Sequence, residues 1–219
     1  MTDLDQPPRL IQYWDQPEPP AALLERMEGW RQKHPGWTYR RYDRVASARF
    51  MRSIYGTALE EAFLDVRLPA MQADVFRIAF LLAFGGLWVD AATTCFSPVE
   101  TWLDFQAPLL LLRRSHQHYP QVCNGLIHAL APRHPLLAAA WQSMESSLLT
   151  RTGVKVYRSF GPGLLRDLLA SGSWDHTLTV WQETDLSDHL CFGSSSKVLP
   201  PEQHWSQRQQ SESLYFSGG

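Results

Sequence analysis

Apolar and polar positions alternate along this chain with two different periods, and the changes of period mark its elements. RLIQYW, residues 9–14, reads as a short strand. DQPEPP breaks it, because its prolines fix φ and remove backbone donors. Over residues 20–36, Leu23, Leu24, Met27 and Trp30 recur at helical spacing until Pro35-Gly36 ends the helix. WTYRRYD, 37–43, predicts a second strand with Asp43 at its end, and residues 44–68 predict one or two helices. In AMQADVFRIAFLLAFGG, 70–86, the set Met71, Val75, Ile78, Ala79 and Leu82 follows i, i+4, i+7, i+8, i+11, and Gly85 or Gly86 stands where a left-handed cap belongs. LWVDAATTCF, 87–96, alternates and is rich in β-formers, so Asp90 falls within a strand or at its end. APLLLLRR, 107–114, is a continuous apolar run of buried-strand type. Residues 124–149 predict a strand, a Pro-rich turn and a helix from near Pro135, and SFGPGLLRDLLASG, 159–172, a Gly-Pro-Gly loop opening another helix. Beyond Gly172 the pattern fades, and the polar segment from about 200 is expected to be mobile.

Strand, helix, strand at the start is the beginning of an α/β fold. With 219 residues, 44% of them hydrophobic, there is material for one sizeable core, so residues 1–219 are expected to form a single domain. A formal net charge of −2, with Lys and Arg spread along the chain, gives no footprint for nucleic acid. Cys95, Cys123 and Cys191 lie too far apart for a zinc spacing, and an odd count of three leaves one unpaired, which points to a reducing compartment. The N-terminus carries no apolar signal core, and the longest apolar run, IAFLLAFGGLWV, is about half what a bilayer crossing needs. A cytoplasmic protein, peripheral at the inner face of the membrane at most, is the expectation. Nine tryptophans are many for this length, and indole faces suit sugars and bases as well as cores.

Asp74 and Arg77 stand three apart on one helix face, and the Gly-Gly turn returns the chain beside them with Asp90. These charges can converge. They make either a surface ion pair with an isolated strand-end acid, or a polar cluster at the carboxyl ends of the strands, where open α/β sheets bind ligands. His116 and His118 read as loop residues and His134 as a turn or helix-start residue.

RLIQYWDQPEPP, WRQKHPGWTYRRYD, QADVFRIAFLLAFGGLWVDAATTCFSPVE, NGLIHALAPRHPLL and FGPGLL, in that order over residues 9–170, resemble the capsular polysaccharide synthesis proteins and the related DXD-type sugar transferases, of glycosyltransferase family 32 type. That resemblance implies an α/β GT-A fold, a Rossmann-like mixed sheet between helices, binding a nucleoside diphosphate sugar, UDP-sugar favoured. It implies that Asp90 contacts ribose and donor sugar, that Asp74 and Arg77 hold donor hydroxyls, that Asn124 lies near the donor and that Trp14 stacks on the base; Trp14 as plain core stays equally open. Gly161 and Gly163 would set helix N-terminal amides toward a diphosphate or acceptor, and His204 with Trp205 would close over the phosphates. The second acid of the DXD pattern is here Ala92. A divalent Mn or Mg ion would thus rest on Asp90, the phosphates, water and His204. The implied activity is transfer of a hexose to a glycan or lipid-linked acceptor in surface polysaccharide synthesis, leaning to retention of anomeric configuration. The rival is a nucleotide-sugar-binding or assembly protein that kept the fold and lost turnover. An α/β-hydrolase is excluded by the lack of any G-x-S-x-G.

Overall fold

The computed structural model describes residues 7–114, 121–152, 155–172, 174, 177–193 and 205–216, the last segment without the side chains of Trp205 and Ser206. Its order is β1 (Arg9–Tyr13), α1 (Ala21–Lys33), β2 (Thr38–Tyr42), α2 (Arg44–Tyr55), α3 (Thr57–Asp65), α4 (Pro69–Phe84), β3 (Gly86–Val89), β4 (Thr94–Cys95), β5 (Leu109–Arg114), β6 (Gln121–Ala129), α5 (Pro135–Thr150), α6 (Val156–Ser159), α7 (Pro162–Ser171), β7 (Thr179–Gln182), β8 (Leu190–Cys191) and α8 (Trp205–Arg208).

Six strands form the main sheet in the order β2-β1-β3-β6-β5-β7. β1 runs parallel to β2 and β3, β6 is antiparallel to both β3 and β5, and β7 is parallel to β5. Every strand but β6 therefore points the same way. Their carboxyl ends, and the start of β6, share one edge.

The period-2 alternation of the strands divides the core in two. Ile11, Trp88, Leu109, Leu111 and Ile127 face one side and pack with α2 to α5 and α7. Their neighbours Leu10, Leu87, Val89, Leu110, Leu112 and Leu126 face the other, against Trp30 of α1, Cys95 of β4 and Leu190 of β8. The continuous apolar run at 109–112 is thus a strand buried on both faces.

Local chemistry sets the boundaries. Asp43, expected at a strand end, is the N-cap of α2 and accepts from the Ala46 amide at 2.7 Å. Gly56, with φ at 95°, divides the 44–68 segment into α2 and α3. His134 caps α5 by accepting from the Leu136 amide. LWVDAATTCF is not one strand, however. A turn closed by the Thr93 amide on the Asp90 carbonyl, at 3.0 Å, stops β3 at Val89, and Thr94–Cys95 pairs with β8 in a separate two-stranded sheet. The tail from about 200, expected to be mobile, is anchored where it is described: the Arg67 amide donates to the Leu214 carbonyl, Val66 bridges to Tyr215, and both Leu214 and Tyr215 are buried.

The α4–β3 turn is the tightest point. Gly85 and Gly86 both take positive φ, 65° and 103°. A Cβ on Gly86 would lie 2.8 Å from the Arg9 carbonyl oxygen. Gly86→Ala should therefore cost about 2 kcal/mol or more, from the strained φ and the backbone clash together. The readout is a lower urea midpoint at unchanged slope, and an unchanged midpoint would show that the turn relaxes freely.

Candidate functional site at the carboxyl edge of the sheet

A cleft of about 990 Å³ opens along the shared carboxyl edge. Its position follows from strand polarity: Trp14 and Asp15 leave β1, Asp90 leaves β3, Arg114 ends β5, Glu183 follows β7, and Gln121 to Asn124 open β6, all of them lining the cleft.

Arg77 organises its centre. The helical spacing of Asp74 and Arg77 sets both on the cleft side of α4, and the Gly85-Gly86 turn brings Asp90 back to them. Arg77 Nη1 donates to Asp74 Oδ1, and Nη2 donates to Asp90 Oδ1 at 2.8 Å. Asn124 Nδ2 donates to the same Asp74 oxygen at 2.8 Å, and Trp88 Nε1 to the same Asp90 oxygen at 2.9 Å. The Arg77 guanidinium also lies over the Trp88 ring, 4.9 Å from its centroid. The side chains of Arg77 and Asp74 are 4% and 10% exposed, whereas that of Asp90 is 42% exposed. Asp90 is thus the acid that a ligand meets first.

Burial governs the titration of this group. It pushes Asp74 up to about 6, with Asp90 adding to the rise and Arg77 and Asn124 opposing it. For Arg77 burial acts against the charge, and the carboxylates of Asp90 and Asp74 outweigh it, so its pKa is raised. Asp15 is also raised by burial, against Arg208 and Arg44.

The other expected residues divide. Trp14 is half-buried, lines the cleft, lies outside both apolar clusters and has an indole N–H with no partner among the described residues. Gly161 does not offer a free amide; it donates to the Val156 carbonyl at 2.9 Å. Its role is close approach, because a Cβ there would lie 2.9 Å from Asp74 Oδ2. Gly163 packs against Tyr157, and Pro162 between them reaches the cleft. Trp205 begins the short α8, while His204, His116 and His118 lie outside the described residues.

Sequence reading missed several cleft residues. Trp88 was legible, since i, i+2 spacing on a strand puts it on the face of Asp90. Arg114, Glu183, Tyr157, Phe192 and Arg208 come together only through the fold.

The described side chains do not by themselves assemble a site for a divalent cation. Asp90 Oδ1 already accepts two hydrogen bonds. Ala92 supplies no side-chain oxygen, and its carbonyl accepts from Arg26 Nη1 at 2.8 Å. Among the described residues no group of three or more His, Cys, Asp and Glu converges.

The chain resembles several known proteins. Residues 59–140, which include Asp74, Arg77, Asp90 and Asn124, match the family model "Capsular polysaccharide synthesis protein". Over 191 residues, 74% of this chain and 48% of the relative, the chain is 25% identical to the initiation-specific alpha-1,6-mannosyltransferase of Schizosaccharomyces pombe. It therefore spans about half the length of that curated relative. Among solved structures, the PaToxG glycosyltransferase covers 93% of this chain over 78% of its own, with a TM-score of 0.52 at 12% identity, so the two share a fold. A glycosyltransferase involved in the glycosylation of the major capsid of PBCV-1 covers 80% of this chain over 81% of its own, at a TM-score of 0.40 and 11% identity.

The buried acid generates a pH prediction. Asp74 titrates near 6 in place against an ordinary 3.8, so the folded chain holds this proton more tightly than the unfolded one. Its contribution to stability is complete below pH 3.8 and is lost as pH rises through 6, up to about 3 kcal/mol in all. Asp74→Asn removes that dependence. The unfolding free energy of the variant, relative to the unmodified protein, should therefore shift in the variant's favour between pH 4 and pH 7. A constant difference over that range would mean that Asp74 titrates as an ordinary carboxyl.

Proposed function

We propose that this chain is a glycosyltransferase that takes a hexose from a nucleoside diphosphate sugar, UDP-sugar favoured, and moves it to a hydroxyl of a glycan or lipid-linked acceptor in polysaccharide synthesis. The observation that carries this reading is the Arg77-centred cluster of Asp74, Asp90 and Asn124 at the carboxyl edge of the sheet. A carboxylate fixed by a buried guanidinium and partly open to a cleft is suited to accept hydrogen bonds from vicinal hydroxyls. The half-exposed Trp14 ring, at the end of β1, offers a face for a base. Its likeness to the capsular polysaccharide synthesis proteins and to a mannosyltransferase supports sugar transfer.

In this reading the protein orients the donor, and the cleft limits the access of water that would waste it. Asp74 and Asp90 hold sugar hydroxyls, Arg77 keeps both carboxylates in register, and Trp14 stacks on the base. The resemblance favours retention of anomeric configuration. Work at the cytoplasmic face of a membrane suits a lipid-linked acceptor, and no helix among the described residues is long and apolar enough to cross a bilayer. The second reading, a nucleotide-sugar-binding protein without turnover, is favoured by Ala92 alone.

A thermal-shift panel of nucleoside diphosphates and their sugars tests the proposal, because a ligand bound only by the folded state raises its melting temperature. Nucleotide sugars should stabilise the unmodified protein, and Asp90→Ala should lose that stabilisation through hydrogen bonds to a charged group worth about 1.5–3 kcal/mol each. Trp14→Ala should weaken nucleosides and nucleotide sugars alike. A panel with no stabilising nucleotide would sink the reading. Turnover with the best donor separates transferase from binding protein.

Metal titration is a separate check. Since the described side chains do not assemble a cation site, Mn²⁺ should bind the ligand-free protein no tighter than about millimolar, as expected where hard oxygen ligands are few. Micromolar binding without nucleotide would show that ligands beyond these residues complete a site.

A further inference from the structure

We propose that the β5–β7 end of the cleft is an acceptor subsite for the hydroxyls of a neutral pyranose, built on Arg114 and Glu183. This rests on the transferase reading above and gives it a second binding site. Both residues line the same cleft as the Asp74, Arg77 and Asp90 cluster. They stand on the other side of β6, at the end of β5 and just beyond the parallel β7. β3, which leads into Asp90, and β5, which ends in Arg114, lie two strand spacings apart, about 10 Å. Donor and acceptor rings can therefore sit side by side along one edge, with Asn124 on β6 between them.

The chemistry of the pair points to a ligand. Arg114 Nε and Glu183 Oε2 face each other at 3.1 Å as an ion pair, with side chains 43% and 16% exposed. Those two atoms are buried against each other, so what the pair offers the cleft is the remaining guanidinium N–H groups of Arg114 and the second carboxylate oxygen of Glu183. Donors and an acceptor fixed side by side in a cleft wall are matched by the neighbouring hydroxyls of a ligand. The third nearby group, the Cys123 thiol, is pushed up to about 11 by burial, so it adds no charge.

Charge selects the class of ligand. An isolated arginine would suit a phosphate, but Glu183 neutralises Arg114 and would repel an anion. What remains is a fork of donors beside one acceptor, the complement of neighbouring hydroxyls on a sugar ring. Glu183 accepts from one hydroxyl while Arg114 donates to the oxygen of the next.

The pair could instead serve only as a tie between β5 and the turn after β7. Two variants of similar shape, Glu183→Gln and Arg114→Gln, separate these roles. With the donor found by the panel above, transfer to methyl α-mannoside, methyl α-glucoside and methyl α-galactoside is measured, together with nucleoside diphosphate affinity by calorimetry. The expected result is transfer to at least one glycoside by the unmodified protein. Each variant should then show a tenfold or greater rise in KM for that glycoside, with nucleotide affinity held within twofold. An unchanged glycoside KM would overturn the subsite. So would a parallel loss of nucleotide affinity, which is the mark of a structural tie. Transfer to none of the three glycosides, or only to a phosphate-bearing lipid acceptor, would overturn it too. If the unmodified protein binds no nucleotide at all, the transferase reading itself fails and the subsite falls with it.

Discussion

One buried guanidinium sets the terms for this molecule. Arginine does not deprotonate in a protein, so a nearly inaccessible Arg77 must be met by carboxylates or not be buried at all. It is met by two, from different elements: Asp74 one turn earlier on α4, and Asp90 beyond the Gly85-Gly86 turn. The pairing fixes the return angle of β3 against α4. It also orients Trp88, whose ring lies beneath the guanidinium and whose N–H reaches Asp90. Removing Arg77 would leave the buried Asp74 without compensation, a loss of about 3–5 kcal/mol, whereas removing either carboxylate leaves Arg77 paired with the other. Stability and ligand geometry are therefore properties of the same contact.

Strand polarity extends that contact into a site. Because only β6 runs against the rest, the residue that follows each parallel strand emerges on one edge. A helix packed behind the sheet contributes Asp74 and Arg77 to that edge only if its own end is held close, which is what the positive φ of Gly85 and Gly86 permits. Gly161 does the equivalent from the far side, letting the start of α7 close over Asp74 Oδ2 where a methyl group would collide. The carboxylate is thereby enclosed by backbone rather than water, and this enclosure lifts its titration.

Much of this was legible in the chain. The α4 pattern, the Gly-Gly stop and the i, i+3 acid and base specify the central contact by local rules, and the buried run at 109–112 reads directly as a strand apolar on both faces. Single-residue turn chemistry was harder. Nothing in the alternation of LWVDAATTCF announces that the chain turns at Asp90, since the decisive hydrogen bond is between backbone groups of Asp90 and Thr93. Arg114 and Glu183 are 69 positions apart and meet only because β7 docks beside β5. A pairing of that kind has no local signature. In the Gly-Pro-Gly loop the Gly161 amide is taken by the Val156 carbonyl, and what the sequence did not announce is that both glycines leave space, for Asp74 and for Tyr157.

The balance of charge in the cleft bears on what it receives. Among the described residues Asp15, Asp74, Asp90 and Glu183 line it against Arg77, Arg114 and Arg208, four acids to three guanidiniums, or a net of −1 with all ionised. Such a lining is suited to the neutral hydroxyls of a sugar. Two of the acids, Asp74 and Asp15, are already raised by burial, and an arriving anion raises both further. Protonation of either removes a repulsive charge at the moment it would oppose the ligand. The absence of a second acid at Ala92 fits the same logic, because another carboxylate would deepen the negative balance unless a cation accompanied it. In its place the Ala92 carbonyl is held by Arg26, a positive group drawn from α1 to the end of the strand that carries the site.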